Sequence, residues 1–342
     1  MNNMNKDSVF IIAELSANHG GKIETAIETI KAAKKTGANA IKLQTYTGDT
    51  ITLNSDKKDF VISGGTIWDG KRLYELYEKA ALPWEWHAEL FKVAKDEGLV
   101  CFSSPFDKTA VDFLEDLQTP MYKIASFEIT DIPLIEYTAS KGKPMIISTG
   151  IAGYDDIKLA VDTCRKAGNN DITILKCTSS YPAPVDEANL VMMQQYAKDF
   201  DVKIGLSDHT LGTTVPVVAT AMGAKVIEKH FILERSIGGP DASFSLDKEQ
   251  FTTMVKAVRE AEKALGKVSY NLTEKQKSGK QFSRSLYVAE DIKAGETITE
   301  KNVRSVRPGY GMHPKHFKRI LGKTVRKNLS KGDRIQEDHI II

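Results

Sequence analysis

Two apolar stretches in the second half of the chain each close on a histidine: Lys203-Ile-Gly-Leu-Ser-Asp-His209 and Lys225-Val-Ile-Glu-Lys-His230. Side chains alternate across a strand, so Ser207 shares a face with His209, and Glu228 with His230. Neutral imidazole is a common nitrogen ligand for a catalytic metal. Two such ligands leave most of a coordination sphere to water and a substrate oxygen. That suits Mn²⁺ or Mg²⁺ better than a closed structural zinc. A single strand-end histidine is better explained by an ordinary hydrogen bond. A pair on adjacent strands favours a metal.

The other strand ends carry chemistry of a second kind. Glu14 closes the first strand, and Lys42 and Gln44 lie on the second. The later strand ends offer Ser103-Ser104, then Lys123 with Ser126 and Glu128, then Ser148-Thr149-Gly150, then Lys176 with Thr178-Ser179-Ser180-Tyr181. Three lysines converging on one mouth repel one another unless an anion lies between them. A phosphate joined to a carboxylate fits, since lysines act as point charges and hydroxyls donate hydrogen bonds. A rival reading makes one lysine a Schiff-base nucleophile, and periodicity does not separate the two. Glu14 is either a structural partner for a lysine or a proton-transfer group. Asn18-His19-Gly20 reads as a turn and Cys177 as a small apolar filler, with nothing beside it to make a reactive thiolate.

Short β-branched runs position these residues: Val9–Leu15, Ala40–Tyr46, Val100–Phe106, Met121–Ser126, Pro144–Gly150, Ile172–Thr178, Val202–His209 and Lys225–Phe231. Helical periodicity fills most gaps, as in Ile23-Ala26-Ile27-Ile30-Ala33. Gly37, Gly98, Gly142, Gly168 and Gly223 sit where a left-handed cap is needed. Eight strand–helix units with a last helix near Asp247–Gly266 spell an α/β fold, a (β/α)₈ TIM barrel. A doubly wound open sheet also alternates, but no Gly-x-Gly-x-x-Gly follows the first strand. Gly48–Pro83 is a long insertion after the second strand, of the kind that carries function on barrel tops. Lys267–Gln281 is polar and reads as a linker, and the tail Ser285–Ile342 as a small, mainly β appendix. The expected domains are 1–266, a linker at 267–282, and 283–342.

At 342 residues, 41% apolar and 27% charged, the chain suits one barrel plus a small domain. A net charge of +2 with no basic tract argues against nucleic acid as a partner. Met1–Ser8 is polar, and the apolar run Val9–Ile12 is too short for a signal-peptide core or a membrane span. Three scattered cysteines argue against a disulfide framework and make the cytoplasm the expected compartment.

Several motifs in order resemble the sialic acid synthase family. They are Ile12-Ala-Glu-Leu-Ser-Ala-Asn-His19, Ile41-Lys-Leu-Gln44, Cys177-Thr-Ser-Ser-Tyr-Pro182, Gly205-Leu-Ser-Asp-His209, Ile227-Glu-Lys-His-Phe231 and Gly239-Pro-Asp-Ala-Ser-Phe-Ser245. The tail, from Arg284-Ser-Leu-Tyr-Val288 through Asp291-Ile-Lys-Ala-Gly-Glu296 to Val306-Arg-Pro-Gly309, resembles that family's antifreeze-like (SAF) domain. Thr52-Leu-Asn-Ser-Asp56, Trp68–Glu78 and Pro83-Trp-Glu-Trp-His87 resemble the branch that makes pseudaminic acid. Sialic acid synthases proper carry Asn where this chain has Ser179, and their insertion differs. N-acetylneuraminic and legionaminic acid synthesis are the neighbouring alternatives.

The resemblance implies condensation of phosphoenolpyruvate with an amino-sugar aldehyde, 2,4-diacetamido-2,4,6-trideoxy-L-altrose, for bacterial surface glycans and flagellin. It implies metal ligation by His209 and His230. It implies phosphoenolpyruvate contacts from Lys42, Lys123, Ser126, Ser148 and Ser207, with Ser104 and Ser179 beside them. It places Glu14 and Glu128 at the reacting carbons, and Tyr181 and Asp241 against the sugar. Arg307 matches an arginine that reaches the barrel of the partner in a domain-swapped homodimer.

Overall fold

The computed structural model describes residues 8–65 and 68–341. The first seven residues of the polar start therefore lie outside the described residues. Two compact units divide the chain, Met1–Gly266 and Lys267–Ile342.

The first unit is a closed barrel of eight parallel strands in sequence order. They are β1 (Phe10–Glu14), β2 (Ala40–Thr45), β3 (Val100–Pro105), β4 (Tyr122–Ile124), β5 (Met145–Ser148), β6 (Ile172–Cys177), β7 (Lys203–Asp208) and β8 (Val226–His230). Each falls within its predicted span, and pairing of β1 with β8 closes the ring with Glu14 beside His230. The open-sheet alternative is excluded. The helices of this unit are α1 (Ile23–Thr36), α2 (Gly48–Ile51), α3 (Leu73–Ala80), α4 (His87–Asp96), α5 (Lys108–Asp116), α6 (Ile132–Ala139), α7 (Tyr154–Lys166), α8 (Val191–Phe200), α9 (Thr214–Ala221) and α10 (Lys248–Leu265). The five glycines predicted to cap helices all have positive φ. The last helix starts where the sequence places it, with Asp247 and Gln250 forming a capping box.

Alternation along the strands sorts side chains between two environments. Outward residues such as Ile11, Ile41, Ile124, Ile147 and Ile227 form the main core with the helices. Inward residues form a separate apolar plug: Ile12, Ala40, Phe102, Met121, Ile146, Leu175 and Val226. Two residues further along those strands stand Glu14, Lys42, Ser104, Lys123, Ser148, Cys177 and Glu228. On β7 the plug position is Gly205, followed by Ser207. A Cβ at Gly205 would sit 2.5 Å from the Val226 carbonyl oxygen and 2.6 Å from Leu175 Cδ2. The plug is so tight that one strand contributes no side chain. It seals the lumen below a ring of polar groups, at the carboxyl ends where barrel enzymes place their chemistry.

The insertion between β2 and β3 contains α2 and α3, and Val61 and Arg72 form a β-bridge within it. Residues 66 and 67 of this insertion are outside the description. In the second unit the stretch read as a linker holds a short helix, α11 (Glu274–Gly279), started by a capping box of Thr273 and Gln276. The unit continues with β9 (Ser285–Val288), β10 (Val303–Val306), α12 (Phe317–Ile320), β11 (Thr324–Val325) and β12 (Ile340–Ile341). β9 pairs antiparallel with β10, and β11 with β12, around a core that includes Leu286, Val303 and Ile335. No helix among the described residues is long and apolar enough to cross a membrane.

Candidate active site

The polar ring forms the floor of a cavity of about 350 Å³. Lys42 Nζ donates to Glu14 Oε1 at 2.5 Å and to Ser104 Oγ at 3.4 Å. Gln44 donates to the same Glu14 oxygen at 3.1 Å. Glu228 lies between the cations, with Oε1 3.2 Å from Lys123 Nζ and Oε2 3.8 Å from Lys42 Nζ. Ser207 Oγ donates to Glu228 at 3.0 Å. Glu14, Lys42, Lys123 and Glu228 are each no more than 4% exposed. Charges so buried persist only when paired, and two lysines against two carboxylates balance.

Burial would raise the Glu14 pKa, but Lys42, His230 and Lys123 outweigh it and hold the carboxyl well below the usual range. Burial likewise opposes the Lys42 charge, and Glu14 and Glu228 overcome it, so the Lys42 pKa is raised. A protonated, ion-paired lysine is a poor Schiff-base nucleophile.

The third lysine is elsewhere. Leu175 and Cys177 face the lumen, so Lys176 points outward, where it donates to the Cys177 carbonyl at 2.9 Å and the Thr178 hydroxyl at 3.3 Å. The expected three-lysine cluster is therefore a pair with a carboxylate bridge. Cys177 takes the lumen place instead. Its Sγ lies 4.0 Å from His209 Nδ1 and from Ser179 Oγ. Burial pushes the thiol up, but His209, Ser126 and Lys123 bring it down to about 7. The residue expected to be a small apolar filler thus has a histidine beside it.

The two histidines stand side by side at the rim, with ring centroids 5.3 Å apart. His209 Nδ1 meets the Thr178 carbonyl at 2.9 Å. A carbonyl only accepts, so Nδ1 carries a hydrogen, and in the neutral ring Nε2 keeps the lone pair. His230 Nε2 lies 3.5 Å from Glu14 Oε2, and its Nδ1 lies 3.8 Å from Asp241 Oδ2. Asp241 is fixed by the Ser16 hydroxyl at 2.5 Å and the Ala17 amide at 3.3 Å. Ser16 holds φ 47°, a strained value for a non-glycine residue, to make that contact. Tyr181 covers His209 at 4.4 Å between centroids and packs on Phe244 at 4.9 Å. Among the described residues no group of three or more His, Cys, Asp and Glu side chains converges as a metal-ligand set.

Glu128 lines the same cavity, and burial pushes its pKa up to about 7 against the pull of Lys123. Ser126 Oγ accepts from the Gly150 amide at 3.1 Å. Glu128 Oε2, Ser148 Oγ, Glu228 Oε2 and His230 Nδ1 are buried and make no hydrogen bond within the described residues. Buried polar atoms are normally satisfied. Several left open around one cavity mark the place of a ligand.

Glu14, Lys42, Lys123, Ser126, Glu128, Ser148, Tyr181, Ser207, His209, His230 and Asp241 all line this cavity. Ser104 and Ser179 lie behind the lining, one bonded to Lys42 and the other near Cys177. Arg307 belongs to the second unit, where it is exposed. Glu228 is the site residue that motif and residue type leave without a role, although alternation on β8 already puts it on the face of His230.

Residues 29–270 match the model of the NeuB family, and residues 283–341 match that of the SAF domain. The chain belongs to the NeuB family. It is 50% identical over 336 residues to a pseudaminic acid synthase of Campylobacter jejuni subsp. jejuni serotype O:23/36, covering 98% of each chain. A pseudaminic acid synthase of Helicobacter pylori is 47% identical, over 96% of this chain and 97% of that one. An N,N'-diacetyllegionaminic acid synthase of Legionella pneumophila falls to 36%, over 97% and 94%. Among solved structures, this NeuB-family chain resembles the N-acetylneuraminic acid synthetase of Leptospira borgpetersenii, with a TM-score of 0.72 and 29% identity. That match covers 82% of this chain and 93% of the other. The family drawn from the motifs and the barrel-plus-SAF architecture both hold.

Proposed function

We propose that this chain is a transferase that condenses phosphoenolpyruvate with 2,4-diacetamido-2,4,6-trideoxy-L-altrose, yielding pseudaminic acid and phosphate in the cytoplasm for surface-glycan and flagellin modification. The observation that carries the reading is identity of about half, over nearly the full length, to pseudaminic acid synthases of two genera.

The floor suits an anion with phosphate and carboxylate ends. Lys42 and Lys123 supply charge, and Ser126, Ser148 and Ser207 supply hydroxyls, with Ser104 and Ser179 supporting them. Tyr181 and Asp241 face the sugar from the rim. His209 Nε2 and the unpartnered Nδ1 of buried His230 fit a divalent ion, Mn²⁺ or Mg²⁺, that leaves positions for oxygen ligands. Such an ion, when bound, supplies Lewis-acid polarisation of the aldehyde oxygen.

In this reading the methylene carbon of phosphoenolpyruvate attacks the aldehyde carbon. Positive charge then develops at the carbon bearing the phosphate. Glu14, held as a carboxylate, stabilises that charge electrostatically. Water adds at the same carbon, and the C–O bond to phosphate breaks to leave a 2-keto acid. One proton of the water ends on the former aldehyde oxygen and the other on phosphate. Lys42 and Lys123 hold both anionic ends throughout, so positioning supplies much of the rate. Arg307 from a second copy in a domain-swapped homodimer completes the sugar contacts.

Phosphate release from phosphoenolpyruvate that requires the sugar, and is lost on exhaustive chelation and restored by Mn²⁺, supports this reading. A covalent adduct trapped by borohydride would replace it with Schiff-base chemistry.

A further inference from the structure

Helix α3 has an apolar stripe with no protein core beneath it. Leu73, Leu76, Tyr77 and Ala80 fall at i, i+3, i+4 and i+7, one face of a helix. All four line the cavity. Leu73, Leu76 and Tyr77 are half-buried and take no part in the core between sheet and helices. A surface helix ordinarily owes its stability to burying such a stripe. Here the stripe is turned to the place where substrate binds.

The helix is also held there. Glu78 Oε1 accepts from the Gly48 amide at 2.7 Å, clamping α3 to α2. A side chain at Gly48 would meet that oxygen at 2.6 Å and Tyr74 Cε2 at 3.0 Å, so glycine permits the approach. The Tyr77 ring stands edge-on to Tyr46, just beyond β2, at 5.9 Å. The half-buried Ile51 and Ile62 extend the same wall.

The cavity therefore has a charged floor and an apolar side. A hydroxyl placed against that side loses water and finds aliphatic carbon. A methyl group there loses nothing.

We propose that α3, with Ile51 and Ile62, is the specificity wall of the site, packing against the methyl groups of a deoxy, N-acetylated sugar and disfavouring its hydroxylated counterpart. This rests on the synthase reading above and adds to it the side chains that select the sugar.

The test uses the purified full-length enzyme, the 6-deoxy diacetamido sugar and its 6-hydroxy analogue. Wild type should favour the deoxy sugar in kcat/KM by about 10–100-fold, the range a hydrophobic pocket achieves. Leu73→Asn and Leu76→Asn should lose most of that preference by raising KM for the deoxy sugar, and Leu76→Met should keep it. Phosphoenolpyruvate affinity, read by calorimetry, should stay within about twofold of wild type, reporting an intact floor. Leu76→Ala carries the comparison if the asparagine variants do not fold. A preference unchanged by these substitutions, with phosphoenolpyruvate binding intact, overturns the wall and leaves the synthase reading standing. Turnover of neither sugar by wild type overturns both.

Discussion

Glu14 and Glu128 are carboxyls in one cavity, and their surroundings drive them in opposite directions. Two ammonium groups and an imidazole keep Glu14 ionised, whereas burial lifts Glu128 to about 7. Separated pKa values of this kind assign different tasks to like groups. Glu14→Gln should lower turnover by at least ~100-fold while phosphoenolpyruvate still binds, because the lost charge acts on the transition state. Near-normal turnover in a single-turnover assay would remove its chemical role. Glu128 has a consequence for folding as well. Its folded pKa is raised, so the native state binds more protons than the unfolded chain above the ordinary glutamate range of about 4.3. Stability from this group is present in acid and is lost as pH rises through about 7. Glu128→Gln should therefore gain on wild type in urea denaturation between pH 5 and pH 8, and a constant difference would contradict the shift. At this scale most of the site was legible, since strand ends on barrel mouths gather their residues. Lys176 was misplaced because β6 is apolar on both faces, Ile172 and Ile174 outward and Leu175 inward. Hydrophobicity then gives no phase, and the parity of Cys177 decides.

At the scale of elements, one rule organises the barrel: an apolar plug residue, then a polar residue two positions on. It follows from parallel strands in aligned register around a sealed lower end. Gly205 is its most sensitive point. Gly205→Ala should cost about 1–3 kcal/mol through overpacking against Val226 and Leu175. Thermal melting should register this as a drop of several degrees, and an unchanged midpoint would show that the plug can yield. All eight strands were readable because β-branched runs were bounded by turn residues and helix caps. The short helices were harder. α3 spans eight residues and α11 six, too few for periodicity to stand out from chance. The stripe of α3 was further obscured because its burial partner is a cavity rather than a core.

The whole molecule joins a barrel to a small β unit with its own core. That core was foreshadowed by Gly-containing turns and short apolar runs. What the second unit contributes to catalysis is not a matter of local pattern if, as proposed, it acts on the barrel of a second copy. On the proposed swapped dimer, Arg307→Ala should raise the sugar KM by about 10-fold or more with phosphoenolpyruvate KM unchanged, as expected for loss of one charge-assisted contact. Mixing Arg307→Ala with Glu14→Gln should restore part of the activity, since some sites then hold an intact barrel and an intact arginine. Failure of rescue after subunit exchange would place Arg307 outside the partner's site.

The central claim is the condensation itself, and product mass tests it most directly. Purified protein is given Mn²⁺, 2,4-diacetamido-2,4,6-trideoxy-L-altrose and phosphoenolpyruvate carrying ¹⁸O in its bridging position. The account predicts the mass of pseudaminic acid, with the ¹⁸O in the released phosphate. No product from this sugar, or the label retained in the keto acid, would contradict it.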